Sequence, residues 1–372
     1  MKFNWKECTL GDFITFQRGY DLPKSQMING KYPVVGSNGI IGYHNEYTTE
    51  FPSITIGRSG NVGNPFIVYG RTWSHNTTLY VKDFKGNDPT FVFYFLKMMN
   101  LANYAGGSAV PTLNRNHIHT LPVKVPESVE AQKKIGYYLR LLDEKIELNN
   151  AINKNLLEQA LTLYTTQFSS LEKNGCIGNY CTVKSGFAFK SSWWTNIGVK
   201  VIKIGSINQD NLNLSECSYV DEDKIDKAKD FVVKAGDLLI AMTGATIGKF
   251  AMVPYSSEVL LVNQRVGKFF LGNNPVEKLP FIYCTLKQPK VYNEVVNRGQ
   301  GSAQPNISAS DIMSIPCVIP SQEAINNFNN VAKPLFDLII SNQRENQQLS
   351  EICNTLLPKL MSGKLDVSTL EF

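Results

Sequence analysis

GSAVPTLNRNHIHTLPVKVP at residues 107–126 and GSAQPNISASDIMSIPCVIP at residues 301–320 are one segment written twice. They align without a gap at an offset of 194 and share Gly107/Gly301, Ser108/Ser302, Ala109/Ala303, Pro111/Pro305, Ile118/Ile312, Pro122/Pro316 and Pro126/Pro320. Upstream, LGDFITFQRGYDL (10–22) matches IGNYCTVKSGFAF (177–189) at offset 167, pairing Gly19 with Gly186 and Tyr20 with Phe187. RSGNVG (58–63) resembles MTGATIG (242–248), and FVFYFLK (91–97) resembles FIYCTLK (281–287) at offset 190. Four anchors in one order, with a rising offset, describe a duplicated module whose second copy carries insertions. The period is far longer than a solenoid repeat.

Downstream of each anchor the pattern changes to apolar residues every three or four positions. Ile135, Leu139, Leu142, Ile146, Asn149, Ile152, Leu156, Ala160 and Leu163 form one stripe. Ile325, Phe328, Val331, Leu335, Leu338, Asn342, Leu349, Ile352 and Leu356 form the other. This spacing predicts a long amphipathic helix after each head. Forty residues make a helix of about 60 Å at about 1.5 Å per residue. A helix with one apolar edge needs a cover, and its own copy is the nearest, so an antiparallel pair is expected. Asn149 and Asn342 would lie in the seam and fix its register. Pro334 is expected to kink or interrupt the second helix, and Pro358 and Gly363 to mark its end.

Composition narrows the function classes. No run is apolar enough to span a membrane, and MKFNWKECTL does not read as a signal peptide. Seven scattered cysteines without a CxxC pair read as reduced thiols of a cytoplasmic protein. His44, His75, His117 and His119 stand at no metal-ligand spacing, so no metal site is expected. Formal charge is +5 over 1–126, −2 over 127–172, +4 over 173–320 and −2 over 321–372. Basic heads on acidic helices suggest an extended polyanion touched at two places. GATIGK (244–249) is one residue short of a phosphate loop, and Phe250 stands where Ser or Thr would hold magnesium. No nucleophile elbow, dinucleotide fingerprint or methyltransferase motif is present, so no catalytic residue is assigned and no cofactor is expected on this chain.

The assembled pattern resembles the DNA-specificity subunit of type I restriction-modification systems. GKYPVVGSNGIIGYHNEY (30–47), ITIGRSGNVGNPF (54–66), the two GSA-x-P segments and LLPKLMSGKL (356–365) carry the resemblance. It covers the whole chain in the order head, helix, head, helix. It implies an α+β fold with two pseudo-symmetric mixed α/β target recognition domains, 1–126 and 173–320. The helices at 127–172 and 321–372 would pack as an antiparallel coiled-coil spacer. The partners implied are double-stranded DNA, two methyltransferase subunits, and motor/nuclease subunits. S-adenosylmethionine, ATP and Mg would then be used by those other subunits.

Candidate DNA contacts are polar residues in and beside glycine loops, where backbone amides approach an anion and Asn, Gln and Arg suit base edges. In the first head they are Arg58, Ser59, Arg71, Ser74, His75, Asn76 and Arg115. In the second they are Thr243, Lys249, Asn263, Gln264, Arg265, Arg298 and Gln300. Tyr32, Tyr43, Tyr47, Trp73, Trp193 and Trp194 read mainly as core, although adjacent tryptophans on a strand cannot both face one core. Two other readings share the pattern. One is the recognition subunit of a fused methyltransferase-nuclease. The other is a duplicated interaction scaffold without DNA, for which salt-dependent DNA binding would be absent.

Overall fold

The computed structural model describes residues 3–107, 111–299 and 305–367. The chain divides into two compact units, residues 1–145 with 349–372, and residues 146–348. Each unit holds one head and part of both long helices.

Both heads open on the same local device. In the first, Thr9 caps the short helix Leu10–Phe13, its hydroxyl accepting the Asp12 N–H while Asp12 accepts the Thr9 N–H, both at 3.1 Å. In the second, Asn179 accepts the Cys176 N–H at 2.8 Å ahead of Ile177–Tyr180. Such reciprocal caps satisfy amides that a helix start leaves open. A two-stranded antiparallel ribbon then closes each head: Trp5–Thr9 on Pro122–Pro126, and Gly175–Cys176 on Pro316–Cys317.

Each head is built on a four-stranded antiparallel sheet in the same order. The first runs Thr15–Arg18, Thr78–Asp83, Ser53–Gly57, Pro65–Val68. The second runs Thr182–Ser185, Val266–Phe270, Leu238–Ala241, Phe250–Met252. A further sheet in each head centres on a parallel pair, Tyr32–Gly36 with Trp73–Ser74 and Val199–Ile202 with Leu260–Val262. The second head adds strands Trp194–Thr195, Ser218–Val220 and Val232–Val233 to that sheet, and a hairpin of Ile207–Asn208 with Asn211–Leu212. Ser218–Val220, Val232–Val233 and the hairpin fall where the sequence offset climbs from 167 to 184, whereas Trp194–Thr195 precedes the rise.

The long helices span Val129–Phe168 and Gln322–Met361. In the second unit Tyr164 and Phe168 meet Phe328 at ring separations of 5.7 and 5.6 Å, while Asn153 meets Asn342. Numbers rise on one helix as they fall on the other, so the pair is antiparallel. In the first unit Ile135 and Leu139 share a core with Cys353, Leu357 and Leu360. The second stripe reads one residue out of register in places. Val331, Leu338 and Ile352 are exposed, and Ala332, Phe336, Ile339 and Cys353 are buried instead. A heptad count drifts against a helix of 3.6 residues per turn, which moves the buried line by a position. Helix also continues past Pro334 without interruption, and Pro358 lies inside the last turn. Gly363, at φ 70°, makes the stop.

Asn149 and Asn342 both lie in the seam, 1% and 8% exposed. They do not pair with each other. Asn149 Nδ2 donates to Glu345 Oε2 at 2.7 Å and to Asn346 Oδ1 at 2.9 Å, and Asn342 Nδ2 donates to Asn153 Oδ1 at 2.8 Å. A shift of 193 positions carries Asn149 onto Asn342 and Asn153 onto Asn346. The bonds Asn149–Asn346 and Asn342–Asn153 are therefore each other's copies.

Each head also joins a tyrosine and a lysine to a carboxylate, which only in the first head belongs to a long helix. Tyr94 Oη donates to Asp143 Oδ2 at 2.7 Å, with the Lys97 ammonium 4.0 Å from the same oxygen. In the second head Tyr283 Oη donates to Asp210 Oδ1, and Lys287 Nζ lies 2.5 Å from Asp210 Oδ2. Asp143 belongs to the first long helix, whereas Asp210 belongs to the inserted hairpin's turn. Phe336, at the position matching Asp143, packs its ring on Tyr283 at 5.3 Å instead.

Candidate nucleic-acid interface

The polar candidates converge on one backbone frame, built once in each head. In the first, Gly19 N–H donates to Thr78 O, Tyr20 N–H to Ser74 O, His75 N–H to Val35 O and Thr78 N–H to His75 O, at 2.8–3.0 Å. In the second, Gly186 N–H donates to Val266 O, Phe187 N–H to Val262 O, Asn263 N–H to Ile202 O and Val266 N–H to Asn263 O, again at 2.8–3.0 Å. The turns His75-Asn76-Thr77 and Asn263-Gln264-Arg265 are thus equivalent. The glycine is required at each crossing. A Cβ on Gly19 would stand 2.1 Å from His75 O, and one on Gly186 would stand 2.4 Å from Val262 O.

The glycine loops join the same frame. Arg58 N–H donates to Thr77 O at 2.8 Å, and Met242 N–H to Arg265 O at 3.0 Å. Leu113 N–H then donates to Arg58 O and Ile307 N–H to Met242 O, both at 2.9 Å. Each loop is thereby stitched between the turn and the segment after the GSA anchor. Gly60, Gly63, Gly244 and Gly248 take the left-handed backbone the loops need. The amide cradle expected of these loops is partly committed: Arg58 and Ser59 both donate to Thr77 O, and Gly244 to Pro305 O. Side chains, more than amides, are left for a ligand.

The candidates fall into groups. His75 and Asn76 in the first head, and Asn263, Gln264 and Arg265 in the second, sit on the turn itself, with Gln264 and Arg265 exposed. Asn76 Nδ2 donates to Asp21, and Asn263 Oδ1 accepts the Arg265 N–H at 3.3 Å. Arg58, Ser59 and Thr243 line the loop, with Lys249 just after it. The Thr243 hydroxyl is buried and without a hydrogen-bond partner among the described residues. Ser74 lies beneath the turn, fully buried, sharing its hydroxyl with Thr49 at 2.6 Å. Arg71 stands apart, paired with Glu50 at 2.8 Å and stacked over Tyr47; that pairing raises its pKa. Arg115 opens the exposed short helix Arg115–His119. Arg298 is spent on Glu294, Asp311 O and Ser314. Gln300 lies outside the described residues, as do most of the GSA residues.

Sequence reasoning missed three members of the frame. Ser37 donates its N–H to Thr77 Oγ1 at 3.3 Å and lies against Gly57 and Gly60. Thr112 bridges Ser59, and Asn306 bridges Thr243. The Gly57–Gly60 and Gly244 pattern signalled a loop but not its neighbours. Tyr20, 41% exposed, is held by Gln17 and by Tyr80, whose phenol is pushed up by burial and then by Tyr20. His119 ends the short helix Arg115–His119. Its Nε2 accepts the Phe16 N–H at 3.0 Å. Among the described residues, no three His, Cys, Asp or Glu side chains gather as a metal site, and no helix is long and apolar enough to cross a membrane.

The family model for the type I restriction modification DNA specificity domain matches residues 3–158 and again residues 172–353. The chain belongs to this family. It is 22% identical to the type I restriction enzyme MjaVIII specificity subunit of Methanocaldococcus jannaschii, over 99% of this chain and 95% of that one. The EcoprrI specificity subunit of Escherichia coli is 31% identical over 40% of this chain and 38% of its own length. The crystal structure of a type I restriction-modification system S subunit from M. genitalium matches with a TM-score of 0.59 at 18% identity, covering 96% of each chain. In this specificity-family chain the two family matches fall one on each head, each extending into the long helix that follows.

Proposed function

We propose that this chain is the DNA-reading subunit of a type I restriction-modification complex, with heads 1–126 and 173–320 each recognising one half of a bipartite duplex target. One observation carries the reading. The same hydrogen-bonded frame presents His75-Asn76-Thr77 in one head and Asn263-Gln264-Arg265 in the other. A shared backbone with different polar side chains is what reading two unlike half-sites requires, because base edges are discriminated by donor and acceptor pattern. Arg58, Ser59, Thr243, Lys249 and Arg115 supply neighbouring contacts, mostly to phosphate and sugar.

The long helices set the spacing between half-sites, and their exposed apolar residues dock two methyltransferase subunits. Motor/nuclease subunits join that assembly in the cytoplasm. Methyl transfer, ATP use and Mg-dependent cleavage belong to those subunits. The test is a genome-wide methylation map with and without the gene. Loss of one bipartite motif is expected, and replacing Asn263 and Gln264 by Ala alters one half of it. A map that keeps every motif in the deletion strain refutes the reading.

A further inference from the structure

Two lysines of the segment inserted in the second head, Lys224 and Lys227, join Lys190 and Lys203 over two tryptophans. Lys190, Lys224 and Lys227 place their ammonium groups 5.7, 5.4 and 5.0 Å from the centre of the Trp193 ring, and Lys203 stands 3.7 Å from that of Trp194. Beneath them Trp193 stacks on Phe187 at 6.1 Å and 10°, and Phe187 O accepts the Gln264 N–H at 2.9 Å. The platform is therefore joined directly to the turn proposed to read bases.

Charge makes this cluster unusual. An exposed cation over an aromatic face gains only about 0.5–1 kcal/mol, and one indole cannot neutralise three ammonium groups. Asp223 pairs with Lys224. Lys190, Lys203 and Lys227 have no carboxylate within ion-pair distance among the described residues. Asp221, Glu222, Asp226 and Asp230, on the same inserted segment, make no ion pair with them either. Burial also lowers the pKa of Lys203, which a bound anion would raise again. Among the described residues the first head has no counterpart. Tyr20, the match of Phe187, meets Trp73 at 6.3 Å, Trp73 meets His44 at 5.1 Å, and no lysine of the described residues stands over either ring.

We infer that the lysine-rimmed Trp193–Trp194 platform is a phosphodiester clamp peculiar to the second head, gripping the backbone beside the bases that Gln264 meets. It rests on the DNA-reading function proposed above. Ammonium groups bind phosphate as point charges and need no fixed fork. Their freedom over a ring suits a backbone whose sequence varies.

The test measures binding of the full chain to a labelled random-sequence duplex, by anisotropy across a salt series. Replacing Lys190, Lys203 and Lys227 by Gln is expected to flatten the slope of log K against log salt by about 2–3, near 0.9 per lost phosphate contact. The matching Arg triple keeps the slope, which separates lost charge from lost folding. An unchanged slope in the Gln triple overturns the clamp. So does an equal flattening in a control triple of Lys173, Lys278 and Lys290. A wild-type chain that fails to bind duplex DNA at low salt overturns the underlying DNA-reading function as well, so the two failures are distinguishable.

Discussion

Replacing Gly186 with Ala should damage one half of the target and leave the other untouched. The added Cβ would lie 2.4 Å from Val262 O and 2.5 Å from Asn263 O, where ordinary contact begins at 3.4 Å. The strand and the turn must therefore separate by about 1 Å, an overpacking that costs about 1–3 kcal/mol. The Phe187 N–H to Val262 O bond, 2.8 Å long, stretches beyond hydrogen-bonding range and forfeits a further ~1 kcal/mol. The same shift moves Asn263, Gln264 and Arg265 off the base edges they are proposed to read, where a good contact is worth about 1–3 kcal/mol of discrimination. About ten- to hundredfold loss of selectivity at one half-site is the expected outcome. Gly19→Ala makes the reciprocal case, since its Cβ would meet His75 O at 2.1 Å. Single-molecule methylation sequencing of strains carrying each variant reads both halves at once. If G186A and G19A each keep the full wild-type motif, or both degrade the same half, the equivalence of the two turns is wrong.

Three further outcomes follow from the geometry. Asn149→Ala should destabilise more than Asn342→Ala in urea titrations. The first deletes a bond to a carboxylate and one to an amide, about 2–4 kcal/mol together, and the second deletes one amide bond of about 1 kcal/mol; equal losses contradict this ordering. Burial, then Arg115 and Lys85, holds the His119 pKa below 6.5, so the folded head binds fewer protons than the unfolded chain. Its contribution is complete above 6.5 and is lost as pH falls through that value toward the folded pKa, because the neutral ring accepts the Phe16 N–H. Melting wild type and His119→Asn at pH 7.5 and 5.5 should show a smaller acid-induced drop in the variant. Inserting four residues after Asn149 and after Asn342 adds about 6 Å to each helix. The recognised spacer should lengthen by about two base pairs, and an unaltered motif would rule out the helices as the ruler.

Much of this was legible in the sequence because the relevant signals are local. The GSA segments announce duplication, and the apolar period announces both long helices and the two seam asparagines. That the two turns occupy comparable places was legible, but their residue-by-residue match was not. His75-Asn76-Thr77 and Asn263-Gln264-Arg265 share no residue at a matching position, and a hydrogen-bonded frame leaves little trace in side-chain identity. The fate of individual candidates was also hidden. Ser74 and Arg298 look like readers by type, but one is buried and the other is engaged by Glu294 and Ser314. Those outcomes depend on strand order and helix packing, which contacts distant in sequence decide. Likewise, nothing local says that lysines at 190, 203, 224 and 227 gather over one pair of rings.

The two tyrosine–lysine–carboxylate ties bear on how freely such heads can be exchanged between chains. The second head brings its own acid, because Asp210 sits in a hairpin that travels with it. Grafted onto a foreign helix, it keeps the partner that Tyr283 and Lys287 need. The first head borrows its acid from position 143 of the helix that follows, so a recipient without a carboxylate there would leave Tyr94 Oη unmet in a buried site. Portability is thus unequal between two modules of common descent, and a chimera carrying the first head has to import that stretch of helix with it.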